Sequence, residues 1–120
     1  MKKKELLEKA KKELLRIKEH ATLEERTNLL LGALDGDITG WNSHRCVYGK
    51  MTGDCENLRS RALMQLCAGT HGTDQLLQTY RIKVLQFNPN RPRIGWTFLE
   101  RCLSDYWHET IDLIIETQLN

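Results

Sequence analysis

The residues of this chain best suited to chemistry lie between positions 46 and 71, "CVYGKMTGDCENLRSRALMQLCAGTH", where Cys46, Cys55, Cys67 and His71 are spaced C-x8-C-x11-C-x3-H. Thiolates and imidazole are the ligands a tetrahedral zinc site takes. Geometry sets a limit, because Asp54 can cap a helix over 55–68. Twelve helical residues then hold the Cα atoms of Cys55 and Cys67 roughly 18 Å apart, too far to share one ion. Two smaller groups survive. His44, Cys46 and Cys55 bracket a loop and form a candidate three-ligand metal site, while Cys67 and His71 meet at a helix end. The alternative, which we favour, is buried thiols without metal.

The outer spacings of that run resemble those of a CCCH zinc finger, whose pattern has a shorter middle gap. A second resemblance rests on "RCLSDYWH", Arg101 to His108 with six residues between, which is similar to the R-x4–6-H motif of HEPN-domain ribonucleases. That likeness implies an all-helical dimer with paired Arg and His at its interface. His108 would act as acid/base and Arg101 would steady the phosphate. Cys102 stands where the family has a polar residue after the Arg. Read without the resemblance, Arg101, Asp105, His108 and Asp112 form one polar helical stripe of i,i+4 partners.

A third constellation is the loop "FNPNRPRIGW". Arg91 and Arg93 beside Trp96 offer guanidiniums and an aromatic face, which suit phosphates and bases. Prolines 89 and 92 equally suit a stiff helix connection. Residues 41–101 hold 9 Lys/Arg against 4 Asp/Glu, and residues 102–120 hold none against 4. The asymmetry suits an anionic partner, or an acidic last helix lying near the basic loops. The sequence holds no phosphate loop, no nucleophile motif, no H-E-x-x-H and no Cys-x-x-Cys, and nothing calls for a cofactor. These absences favour a non-enzyme.

The elements that position these residues read as helices. Residues 2–21 place Leu6, Ala10, Leu14, Ile17 and Ala21 at helical spacing, with Glu5–Lys9 and Glu8–Lys12 as favourable pairs. Their restriction to Lys, Glu, Leu, Ala, Arg, Ile and His is that of an idealised helix. We therefore expect residues 1–21 to be an engineered helix joined to a more natural module, or a native helix of the same style. "TLEE" at 22–25 is a capping box that opens a second helix over 23–35, hairpinned or kinked against the first. Leu23, Thr27, Leu30, Leu31 and Leu34 are its expected inner face, and Gly36 its left-handed terminus.

Residues 36–53 follow as a long irregular connection with four glycines, the first candidate for a functional surface. A third helix, 55–68, would bury Leu58, Ala62 and Leu66. A fourth would run from Thr73 to "NPNRP", with "TYRIKVLQF" readable as a strand. A last helix, about 96–118, would bury Trp96, Leu99, Leu103, Tyr106, Thr110, Leu113 and Ile114.

At 120 residues and 40% hydrophobic, the reading is a single all-α domain, a five-helix bundle with one long loop between the second and third helices. No apolar run approaches a membrane span and the N-terminus lacks a signal sequence, so a soluble, cytoplasmic or nuclear protein with reduced cysteines is expected. Its expected role is to bind a macromolecular partner, a protein, through the 36–53 and 88–95 loops. Trp41, Tyr48, Arg91, Arg93 and Trp96 are the candidate contacts, and nucleic-acid binding by the basic middle is the alternative.

Overall fold

The structure, a computed structural model, describes residues 2–39, 44–54, 56–68 and 96–119. These form α1 (Lys3–His20), α2 (Leu23–Leu34), α3 (Val47–Thr52), α4 (Leu58–Cys67), α5 (Phe98–Asp105) and α6 (Trp107–Gln118), with no strand among the described residues. The chain is all-helical there. No helix among these residues is long and apolar enough to cross a membrane. The expected fourth helix, the alternative strand over the same residues and the 88–95 loop lie outside the described residues.

Helix α1 is the centre of the packing, lying against α4, α5 and α6. It buries Leu6, Ala10, Leu14 and Ile17 as its periodicity requires, and adds Glu13 to them. It stops where Ala21 and Thr22 turn extended, and Thr22 begins α2 with a complete capping box. The Glu25 amide donates to Thr22 Oγ1 at 3.1 Å, and the Thr22 amide to Glu25 Oε1 at 2.8 Å. With two extended residues between them, α2 does not fold back along α1. It packs instead on α3 and α6.

Gly36 ends α2 with φ 67°, its amide bonding Ala33 O and that of Asp37 bonding Gly32 O. This is a Schellman closure. The face that α2 buries carries Glu25, Leu29, Gly32 and Ala33; of the expected inner residues Leu30 packs partly buried against the core, while Leu23, Thr27, Leu31 and Leu34 are exposed. Small residues explain the choice. Gly32 lets the Lys50 stem lie across the helix, where a Cβ would come within 2.7 Å of it.

Two further expectations are corrected. The 36–53 connection is not irregular throughout, since Val47–Thr52 form a helical turn and a half whose end is set by Gly53 at φ 102°. The last helix is two, broken at Tyr106 (φ −136°, ψ 59°). Apolar spacing continues across the break, which is why periodicity does not register it. Beyond the break, the Trp107 indole donates to Ala33 O at 2.9 Å and fixes α6 to the end of α2.

Helix α4 begins later than expected. Asn57, not Asp54, caps it, accepting from the Ser60 amide at 2.7 Å, while Asp54 accepts from the Glu56 amide in the preceding turn. Its buried face is Ser60, Leu63, Met64 and Cys67, leaving Leu58 and Leu66 exposed. Thr97 opens α5 with a second capping box, itself buried. Thr97→Ala should therefore lower stability by about 1 to 2 kcal/mol, read as a lower urea midpoint at unchanged slope.

Candidate functional site

The most concentrated chemistry is a polar junction inside the core, where α1, α3 and α5 meet. Glu13 of α1 is buried, with Oε2 accepting from the Tyr48 hydroxyl at 2.6 Å and Oε1 from the Leu99 amide at 3.1 Å. Glu100 of α5 is also buried. Its Oε1 accepts from the Thr97 amide at 2.9 Å and its Oε2 from the Val47 amide at 2.9 Å. One carboxylate thus caps α5 and α3 together, and the other adds a second acceptor at the start of α5.

Burial pushes the Glu13 carboxyl up to about 7 from an ordinary 4.5. The Tyr48 and Leu99 hydrogen bonds pull it down and Glu100 adds to the rise, but loss of solvent dominates. Burial also raises Cys67 to about 12, helped by the nearby Glu13 charge, and raises Cys102 to about 12, helped by Asp105. Both side chains are therefore thiols at neutral pH and unsuited to nucleophilic attack.

Tyr48, expected as a surface contact, is completely buried in this junction. Its phenol needs an acceptor in the core, and Glu13 supplies one, so it has no surface to offer a partner. Trp96 is likewise buried beside the start of α5. Trp41, Arg91 and Arg93 lie outside the described residues, as do Cys55 and His71. Of the candidate metal ligands, Cys46 is buried, its sulfur accepting from the Gly49 amide at 3.3 Å as the cap of α3. His44 is exposed, with Nδ1 3.0 Å from Gly53 O. Among the described residues no three His, Cys, Asp or Glu side chains cluster as metal ligands.

Arg101 and His108 fall on opposite sides of the Tyr106 break. The continuous stripe expected through Asp105 and Asp112 is interrupted there. Arg101 is half-buried, and His108 is exposed with its ring edge-on to Trp107.

Charge pairing among the described residues is internal. Among the described residues the acidic last helix meets α1, through Lys3–Glu109 at 2.9 Å and Lys11–Glu116 at 3.5 Å, while the 88–95 loop lies outside them. In the basic middle, Lys50 and Arg45 both hold Asp37, and Arg59 grips Glu25 with two nitrogens at 2.7 and 2.8 Å. The bond from Arg59 holds Glu25 below its usual carboxylate range, and that from Lys50 does the same for Asp37. These cations are occupied internally.

The α2 leucines that miss the core are exposed, Leu23 at 74%, Leu31 at 55% and Leu34 at 46%. Beside them, α6 exposes Ile115 and Leu119. Comparison with protein-family models, characterised proteins and solved structures finds no match to this chain.

Glu13 binds its proton more firmly folded than unfolded. Its contribution to stability is complete below pH 4.5, declines as pH rises, and is gone above about pH 7. The full change amounts to roughly 3 kcal/mol. Glu25 and Asp37 act oppositely, since their lowered values mean support that is lost as pH falls below the usual carboxylate range. Urea denaturation should accordingly show stability decreasing from pH 5 to pH 8, and Glu13→Gln should flatten that limb. A wild-type profile that is level or rises across this range would exclude a buried, protonated Glu13.

Proposed function

We propose that this chain is a non-enzymatic helical module that binds a partner protein through the outer face of α2 and the adjoining 36–53 segment. The observation that carries the reading is the placement of Leu23, Leu31 and Leu34. A helix apolar on both sides is normally covered on both sides, and here Leu29, Gly32 and Ala33 already serve the core. Leu34 lies immediately before the 36–53 segment, so the two surfaces are continuous along the chain.

A protein partner is favoured over nucleic acid because Arg45, Lys50 and Arg59 are engaged with Asp37 and Glu25. The 88–95 loop remains part of the proposal from sequence alone. The high values of Cys67 and Cys102 support a binding role over thiol catalysis.

The test combines Leu23→Gln, Leu31→Gln and Leu34→Gln, which keep helix propensity and should leave the urea midpoint unchanged or higher. Wild-type chain should retain a protein from lysate that the triple variant does not, with or without nuclease treatment and with little dependence on salt. Equal retention by both chains, or release of the captured material by nuclease, would contradict the proposal.

A further inference from the structure

The two helices that carry the exposed apolar face expose acidic side chains and no Lys or Arg. Helices α2 and α6 lie side by side and antiparallel, tied at one end by Trp107 to Ala33 and at the other by Arg26 to Gln118. On their outer side they carry Leu23, Leu31, Leu34, Ile115 and Leu119, all exposed. The exposed charges flanking these are Glu24, Asp35, Asp112 and Glu116. Arg26 is the only Lys or Arg in either helix, and its guanidinium is spent on the Gln118 side chain and carbonyl. Glu116 is shared with Lys11, and Asp112 lines a groove with Lys3, Lys4 and Lys11 of α1, but Glu24, Asp35 and Asp112 form no ion pair among the described residues.

We infer that the partner segment seated on this face is a basic amphipathic helix of another protein. The inference rests on the protein-binding proposal and narrows it to one chemistry. An apolar stripe running the length of α2, roughly 17 Å, matches about three turns of a docking helix. The trough between two antiparallel helices is the shape a third helix fills. An extended peptide would need a sheet edge, and the described residues contain no strand. Lysine or arginine at the margins of the incoming helix would meet Glu24 and Asp35 on one side and Asp112 and Glu116 on the other. Because the whole chain has a formal net charge of +2, attraction for a cationic helix has to come from this local border.

The test uses the full chain and three designed amphipathic peptides of about 18 residues with one leucine face, their polar faces being lysine, glutamine or glutamate. Fluorescence anisotropy should show the lysine peptide binding at least about tenfold tighter than the glutamine peptide at low salt, with the margin shrinking as salt is added. Glu24→Lys with Asp112→Lys should erase that margin, and the triple leucine variant should lose all binding. Equal affinity for the three peptides, or tighter binding of the glutamate peptide, overturns the basic-helix inference. If that binding still needs the leucines, the docking face of the preceding section stands. No binding of any peptide also overturns it, and the lysate comparison then judges the protein-binding proposal on its own. Self-association in sedimentation equilibrium that the leucine variant abolishes would make the occupant a second copy and overturn it as well.

Discussion

A carboxyl group cannot be taken out of water unless other donors replace the solvent, and the interior of this protein is arranged around meeting that demand twice. Glu13 receives a hydroxyl and an amide; Glu100 receives two amides. The donors come from α3 and from the start of α5, so the two carboxyls specify where those elements sit relative to α1. The exchange is mutual. Orphan amides at the starts of α3 and α5 would be costly in the core, and the glutamates satisfy them while lying at the positive ends of the helix dipoles. Because donors and acceptors from three elements satisfy one another here, the junction selects one arrangement where apolar packing alone would tolerate several.

That constraint has consequences at the surface. With α1 occupied by α4, α5 and α6, helix α2 packs on α3 and α6 and keeps an outward side of its own. The close approach to α3 needs Gly32, where the Lys50 stem crosses before reaching Asp37. Leu23, Leu31 and Leu34 are turned outward as a result. The same inward preference that secures the core therefore creates the apolar face on which the proposed function depends.

Much of this was legible in the residues, and the parts that were not have physical reasons. Leu6, Ala10, Leu14 and Ile17 predict the buried side of α1, "TLEE" predicts the capping box of α2, and Gly36 predicts its left-handed terminus; each is found. Glu13 was missed, although it occupies the third place in the 6, 10, 13, 17 spacing that otherwise defines the core stripe. A charged residue at an inward position is the signal that could have found it. "TFLE" at 97–100 repeats the capping-box pattern of "TLEE" and marks Glu100 in the same way. In α2 and α4, apolar residues occur on two sides, so periodicity cannot choose between them; contact with Lys50 in one and with α1 in the other decides. Tyr48 looked like a loop aromatic because nothing local shows that its hydroxyl is owed to a residue 35 positions earlier.

The central claim is that Glu13 is a desolvated carboxyl shared by three helices. Its titration can be followed directly by labelling glutamate side-chain carboxyl carbons with ¹³C and assigning the Glu13 signal by its loss in Glu13→Gln. A midpoint near 7 is expected, with the Tyr48 ring signals shifting over the same pH range. A midpoint at the ordinary 4.5 or lower, with Tyr48 unresponsive, would contradict it.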